Sequence, residues 1–204
     1  MAYATSQFKY NLQILKENSI TRNIPDIWLR KIATMTLAWD VDNDGILSKE
    51  DVLMVGNRII KSACVVGIAS DALINAFRDI AIAYEAEQQD ILEQTWDQQV
   101  LDMWSNAAKC PAVIEANKTF YSKLFRALDL NSDGFISFSE YIHFWTALDL
   151  DPSLARMQFD YMDADHDGKI SEKEFVDAAI DYEHNHTDAD TKNRFYGPLV
   201  DIND

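Results

Sequence analysis

The sequence is poor in cysteine and in positive charge. Its two cysteines, Cys64 and Cys110, lack CxxC spacing, so we expect reduced thiols in the core of an intracellular protein. Against 18 lysines and arginines stand 34 aspartates and glutamates, which gives a net charge of -16. Such a surface repels nucleic acid and anionic lipid, so we expect no nucleic-acid or membrane partner.

Long apolar runs and catalytic motifs are missing as well. The longest apolar run, near residues 63–69, is too short to span a bilayer, and the N-terminal stretch has no basic region followed by an apolar run. We therefore expect a cytoplasmic protein. The sequence contains no glycine-rich phosphate loop, nucleophile elbow or catalytic Cys/His spacing, so we do not expect an enzyme.

What the chain does contain is an ordered run of oxygen donors in residues 163–174. Side-chain oxygens stand at positions 1, 3, 5, 9 and 12 of this run, position 6 is glycine, and position 7 offers a backbone carbonyl. This is the EF-hand loop pattern, whose oxygens suit a hard cation such as Ca²⁺. The predicted ligands are Asp163, Asp165, Asp167, the carbonyl of Lys169, Ser171 (through a water) and Glu174.

Two further segments repeat the pattern. Loop 129–140 offers Asp129, Asn131, Asp133, the carbonyl of Phe135, Ser137 and Glu140. Loop 40–51 offers Asp40, Asp42, Asp44, the carbonyl of Ile46, Ser48 and Asp51. Asp51 replaces the usual glutamate at position 12, and its shorter side chain reaches an ion less easily in the bidentate mode. We therefore expect three Ca²⁺ sites with Mg²⁺ competing, most strongly at loop 40–51. Because position 3 is Asn131, loop 129–140 has one carboxylate fewer than loop 163–174, which predicts a modestly lower Ca²⁺ affinity.

Solvated turns and capping boxes are the alternative explanation of these stretches. Ser137 with Glu140, and Ser171 with Glu174, fit the capping-box spacing at a helix start. That reading does not explain glycine at position 6, an aliphatic residue at position 8 and apolar helical faces on both sides, three times over. The metal-site interpretation is therefore preferred.

A fourth unit is expected at residues 84–95. Setting Ile91 at position 8 puts Tyr84, Ala86 and Gln88 at positions 1, 3 and 5, and Gln89 where glycine belongs. This segment is predicted to keep a helix-loop-helix shape without binding metal. Helix starts are expected at Pro25, at Ser70-Asp71 and at Asp151-Pro152.

The repeat predicts an all-α fold of four EF-hand units in two paired lobes that form one globule. Position 8 residues are expected to pair in short two-stranded ladders, Leu47 with Ile91 and Ile136 with Ile170. The expected domains are an N-terminal pair at 1–108, a C-terminal pair at 109–182, and a tail at 183–204 that packs on the body.

With these units placed, the chain resembles the sarcoplasmic calcium-binding proteins of invertebrates. The shared features are its length, a silent second loop between active ones, and the ending Phe195-Tyr-Gly-Pro-Leu-Val200. The resemblance implies a Ca²⁺ buffer that also holds Mg²⁺. An alternative function is a Ca²⁺ sensor that recruits a target helix. Such a sensor opens a Met-rich groove, and the six methionines here are scattered along the chain.

The chain is also similar to the luciferin-binding proteins and photoproteins of coelenterates. Those proteins keep an apolar cavity between the lobes for a coelenterazine-type ligand, so a small apolar ligand is a further possible partner. Photoproteins line the cavity with groups of His, Trp and Tyr. No Trp follows Trp145 here, and we expect His184 and His186 to be surface residues without such neighbours.

Overall fold

Helices joined by short acidic loops make up most of the residues that the structure describes. The computed structural model describes residues 24–44, 47–88, 100, 101, 103–105, 111–187 and 192–201, with the backbone alone at 83–88. The helices are α1 (Asp26–Trp39), α2 (Lys49–Ser62), α3 (Ile68–Gln88), α4 (Pro111–Leu128), α5 (Phe138–Ala147), α6 (Pro152–Met162) and α7 (Glu172–His184). Two strands lie between them, β1 (Phe135–Ser137) and β2 (Lys169–Ser171). The all-α prediction with a short ladder is confirmed.

A serine at loop position 9 starts the helix that follows each acidic loop. Ser48, Ser137 and Ser171 each accept a hydrogen bond from the backbone N–H three residues on, and the acid at that position accepts one in return. The capping boxes of Ser137 and Ser171 are those expected, and Ser48 forms a third; together they fix the start of α2, α5 and α7. Helix α6 begins as expected too, with Asp151 as its N-cap and Pro152 in its first turn.

Helix α3 differs from the sequence prediction at both ends. It begins at Ile68, directly after Gly67 at φ +66°, so Ser70 and Asp71 lie inside the helix instead of capping it. At its other end it continues through Gln88, so the predicted loop start at Tyr84 is wrong. Alanine, glutamate and glutamine favour helix, and no set of carboxylates has to converge there. The expected partner of Leu47, Ile91, lies outside the described residues.

The ladder between the last two loops has the predicted register. Strands β1 and β2 are antiparallel, with Ile136 opposite Ile170. Both isoleucines are 0% exposed. Position 8 of one loop therefore lies directly opposite position 8 of the other, in the buried part of the ladder.

The main core contains side chains from both halves of the chain. Its buried members include Val55 and Phe77 from the first half, and Leu124 and Phe144 from the second. A second cluster gathers Trp28 and other α1 residues with Val100. Helices that flank loops in both halves of the chain therefore contribute side chains to the same apolar core.

The tail packs on this core and on α1. Phe195 and Tyr196 are each 1% exposed. Further on, the backbone N–H of Val200 donates to Thr34 Oγ1 at 3.0 Å, and Arg30 Nε donates to the Val200 carbonyl at 2.9 Å. The tail thus connects the last helix to the first described one.

The expectation that Cys64 is a core residue is wrong. Cys64 is exposed, since it lies in the turn after α2 with φ +53°. Cys110 lies outside the described residues. Among the helices that the structure describes, none combines the length and the apolar character needed to cross a bilayer.

Candidate metal-binding loops

The backbone of the acidic loops turns at the same two positions. Position 4 has a positive φ in all three loops: Asn43 at 61°, Ser132 at 58° and His166 at 60°. At position 6, Gly134 and Gly168 both have φ +85°, a conformation that side-chain-bearing residues rarely adopt. These turns bring positions 1, 3 and 5 together, and they explain why glycine is needed at position 6. Gly45 and the predicted ligand Ile46 lie outside the described residues.

A repeated set of hydrogen bonds holds the first half of each loop. In loop 163–174 the backbone N–H of Asp167 donates to Asp163 Oδ1 at 3.0 Å and to Asp165 Oδ1 at 3.2 Å. The same bonds occur at Asp133 in loop 129–140 and at Asp44 in loop 40–51. Side chains at positions 1 and 3 are therefore held in the same orientation in all three loops.

The position 12 acid ties the exiting helix to the start of the loop. Glu174 Oε1 accepts from the N–H of Ala164 at 2.9 Å, and its Oε2 accepts from Ser171 N–H at 2.8 Å and Oγ–H at 2.7 Å. Glu140 accepts from the equivalent groups of loop 129–140. Asp51 does the same in loop 40–51, although its side chain is one methylene shorter.

The pKa of Glu174 lies below its usual value. Burial alone would raise this pKa, but hydrogen bonds from Ser171 and from the backbone N–H groups of Ala164 and Asp165 outweigh burial. Glu174 is therefore ionised at neutral pH, which is the form in which a carboxylate binds a cation.

Carboxylates converge in two of the loops. Oxygens of Asp163, Asp165 and Glu174 lie within 4.8 Å of one another. Asp40, Asp42 and Asp44 form a second group within the same distance, and this group does not include Asp51. Negative charges this close repel one another, and a bound hard cation removes that repulsion. The donor set therefore fits Ca²⁺ or Mg²⁺. The close group includes the position 12 acid in loop 163–174 but not in loop 40–51.

Loop 129–140 carries an amide where the other loops carry a third aspartate. Asn131 Nδ2 donates to Asp133 Oδ2 at 3.2 Å, while Asn131 Oδ1 accepts from the N–H of Asp133 at 2.9 Å. The amide oxygen thus occupies the place of the position 3 carboxylate with one negative charge fewer.

The expectation that neither histidine has a tryptophan neighbour is wrong for His186. The ring of His186 lies edge-on to Trp104 at 5.1 Å between centroids, and Trp104 lies against Trp28 at 5.1 Å. His184 Nε2 lies 3.2 Å from Asn117 Nδ2. Both tryptophans precede the histidines by 80 residues or more in the printed sequence, so a rule based on tryptophan after Trp145 does not include them.

Sequence reasoning also missed a polar group in the core around Glu183. Tyr121 Oη donates to Glu183 Oε1, and its oxygen lies 2.7 Å from that of Tyr196. Asn117 Nδ2 donates to Glu183 Oε2 at 2.6 Å. Burial raises the pKa of Glu183 to about 7, although the bonds from Tyr121 and Asn117 act to lower it. No local pattern marks Glu183, whose partners come from α4 and the tail.

Helix-loop-helix units with converging carboxylates define a calcium-binding EF-hand protein. In agreement, the profile of the EF-hand domain pair matches residues 122–180. The sarcoplasmic calcium-binding protein of Hediste diversicolor is 31% identical over 179 residues, which cover 86% of this chain and 99% of that protein. The chain therefore belongs to the sarcoplasmic calcium-binding protein family.

Two further similarities extend to luciferin-binding proteins. The luciferin-binding protein of Renilla reniformis is 25% identical over 175 residues, covering 84% of this chain and 94% of that protein. The crystal structure of the coelenterazine-binding protein from Renilla muelleri, in its calcium-loaded apo form, matches with a TM-score of 0.70 at 24% identity. That match covers 84% of this chain and 96% of the Renilla muelleri chain, and it shows that the fold is shared.

Proposed function

We propose that the protein is a cytoplasmic Ca²⁺ buffer with three metal-binding loops, 40–51, 129–140 and 163–174, which Mg²⁺ occupies at rest. The observation that carries this proposal is the common frame of the loops. Each holds its position 1 and 3 side chains through the position 5 N–H, and each ties its position 12 acid to the start of the loop. The side chains thereby oriented are the predicted ligands.

Loop 40–51 is proposed to have the most Mg²⁺ character. Its close carboxylate group contains positions 1, 3 and 5 without Asp51, whereas Glu174 belongs to the group in loop 163–174. Fewer oxygens near the ion suit Mg²⁺, which requires six ligands and keeps several waters, better than Ca²⁺, which takes six to eight. The helical backbone of Tyr84–Gln88 supports the further proposal that the second unit is silent.

A buffer is favoured over a sensor because large aromatic side chains of α5, α6 and α7 are packed in the core. Phe144, Trp145, Phe159 and Phe175 are fully buried. A sensor opens an apolar groove on Ca²⁺ binding, whereas a buffer barely opens. The domain boundaries expected from the sequence, 1–108, 109–182 and a tail from 183, remain part of this proposal.

The proposal is tested by titrating the metal-free protein with Ca²⁺ in a calorimeter, with and without millimolar Mg²⁺, while an apolar dye reports exposed surface. We expect Mg²⁺ to lower the apparent Ca²⁺ affinity, most at one site, and Ca²⁺ to produce no gain in dye fluorescence over the Mg²⁺ form. A large gain would identify a sensor instead.

A carrier of a coelenterazine-type luciferin, or a photoprotein, is the second candidate. The group of His186, Trp104 and Trp28 favours it, and so does the likeness to the Renilla reniformis protein. Incubation with coelenterazine followed by gel filtration tests this function. Retained coelenterazine absorbance would support it. The absence of both retained absorbance and Ca²⁺-triggered light would rule it out.

A further inference from the structure

Two buried amides join the tail to the helix that enters the last loop. Gln158 on α6 and Asn193 in the tail are both 0% exposed. Gln158 Nε2 donates to Asn193 Oδ1 at 3.2 Å, and Gln158 Oε1 accepts from the backbone N–H of Arg194 at 2.6 Å. Both ends of the Gln158 amide are therefore bound to the tail.

The same tail amide also holds the helix that leaves the loop. Asn193 Nδ2 donates to the Ala178 carbonyl at 2.7 Å and to Asp181 Oδ2 at 3.0 Å. Both residues lie on α7. Asn193 thus bridges α6 and α7, and each polar atom of its side chain has a partner. A mutual arrangement of this kind fixes the position of both helices, because moving either one breaks bonds of buried groups.

The bridge that Asn193 forms between α6 and α7 lies where these helices would move apart if the last helix-loop-helix unit opened. Gln158 is about one helical turn before Asp163 at the loop start, and Ala178 is about one turn after Glu174 at the loop end. When a sensor EF-hand opens, the angle between the entering and exiting helices changes. The two helices would then separate at the level of Asn193.

Phe195, two residues after Asn193, packs in the apolar space beside the bridge. Phe195 lies 5.1 Å from Phe175 on α7 and 5.6 Å from Tyr121 on α4, measured between ring centroids. Opening would therefore expose a buried aromatic cluster and leave two buried amides without partners. Both losses oppose the movement.

We propose that Asn193 and Gln158 are positioning residues that clamp α6 to α7, so that Ca²⁺ binding to loop 163–174 does not open the last unit. This inference rests on the proposed buffer function and adds a physical reason for it. The tail acts as a permanent internal partner, in the place where a sensor would expose its groove to a target.

The test measures the distance between the two helices in the full-length chain. Spin labels are attached through Ser153→Cys on α6 and Asp177→Cys on α7, both exposed positions, with Cys64 and Cys110 replaced by serine. The distance is compared between the Mg²⁺-saturated and Ca²⁺-saturated forms. We expect the same distance in both forms of the otherwise wild-type chain. A longer distance with Ca²⁺ in that chain would overturn the clamp.

The Asn193→Leu variant removes the polar bonds while keeping the number and branching of the side-chain heavy atoms. We expect its inter-label distance to lengthen by several ångström when Ca²⁺ replaces Mg²⁺, together with a gain in dye fluorescence. The matched control is Asn57→Leu, which removes an exposed amide that bonds only within α2, to the Leu53 carbonyl. Its distance should stay unchanged. An unchanged distance in Asn193→Leu would refute the clamp.

A milder variant serves if Asn193→Leu does not fold. Asp181→Ala removes one of the two acceptors of Asn193 Nδ2 at a partly exposed position. We expect a smaller lengthening with Ca²⁺ in this variant, and an unchanged distance would again refute the clamp. Calorimetry on the same samples separates the two proposals. If the wild-type protein does not bind Ca²⁺, the buffer function is contradicted. If the variants bind Ca²⁺ but their inter-label distance does not lengthen, only the clamp is contradicted.

Discussion

The carboxylate of Asp51 accepts a hydrogen bond of 2.9 Å from the backbone N–H of Val41. In loop 129–140 the longer side chain of Glu140 accepts from the equivalent N–H of Leu130 at 3.0 Å. Aspartate thus closes its loop as glutamate does, and Asp51 is 0% exposed. The shorter acid closes the loop with equivalent bonds, while Asp51 stays outside the close group of carboxylates.

Replacing Asp51 by glutamate should strengthen Ca²⁺ binding at loop 40–51. The longer side chain can reach an ion while the capping box with Ser48 is kept, so we expect the Ca²⁺ dissociation constant of this loop to fall by about tenfold. Calorimetric titration of Asp51→Glu measures it. The reciprocal variant Glu140→Asp should weaken Ca²⁺ binding at its own loop. Equal Ca²⁺ and Mg²⁺ constants before and after both changes would contradict this role of side-chain length.

Replacing Glu174 by glutamine should remove one Ca²⁺ from the protein without unfolding it. The amide oxygen can still accept from Ser171, but it lacks the negative charge that a cation requires at position 12. We expect one Ca²⁺ fewer per chain by calorimetry and an unchanged circular dichroism spectrum. Glu172→Gln, in the first turn of the same helix, is the control and should keep the full count. A variant that retains both the count and the affinity of the wild type would show that Glu174 does not bind metal.

Truncating Ile170 to alanine should destabilise the paired loops. Ile170 is 0% exposed and lies opposite Ile136, so the lost contacts and the cavity should lower the free energy of unfolding by about 2–5 kcal/mol. Urea unfolding of the Ca²⁺-loaded protein measures the loss. Ile68→Ala is the control: Ile68 is 89% exposed, and its truncation should change the free energy by less than about 0.5 kcal/mol. Similar values for the two variants would mean that the ladder contributes nothing.

Much of the loop chemistry could be predicted because it is local. Positions 1 to 12 of each loop are adjacent in sequence, so the capping boxes, the glycine turns and the pairing of Ile136 with Ile170 follow from residue spacing. The same reliance on local sequence spacing predicts the wrong end for α3. A register based on Ile91 placed a loop start at Tyr84, but without ligands to gather, the helix-favouring residues up to Gln88 continue the helix.

The contacts that depend on tertiary packing could not be predicted. Trp28 Nε1 donates to the Glu183 carbonyl at 3.0 Å across 155 residues, and Asn193 joins Gln158 across 35. Nothing in the spacing of these residues signals such partners. The sequence predicts a surface position for His186 because its aromatic neighbour, Trp104, lies 82 residues earlier in the chain.

The buried carboxyl of Glu183 should make stability depend on pH. Its pKa is raised from 4.5 to about 7 in the folded protein, mainly by burial. A raised pKa means that folding favours the protonated form, so this contribution is fully present below pH 4.5 and is lost as the pH rises through 7. The difference is at most about 3–4 kcal/mol, since one pKa unit corresponds to about 1.4 kcal/mol.

The Glu183→Gln variant should remove that dependence. Glutamine cannot ionise, and its amide oxygen can still accept from Tyr121 or Asn117. We expect the free energy of unfolding of the variant to exceed that of the wild type increasingly between pH 5 and pH 8, as measured by urea unfolding at saturating Ca²⁺. A constant difference between the two proteins over this range would show that Glu183 keeps the same charge in the folded and unfolded states.

The number of Ca²⁺ ions bound per chain tests the central claim most directly. Calorimetric titration of the metal-free protein, in buffer without Mg²⁺, counts the ions. We predict three per chain, one for each of loops 40–51, 129–140 and 163–174. A count of two would show that loop 40–51 does not hold Ca²⁺ despite its carboxylates, and would contradict the three-site account.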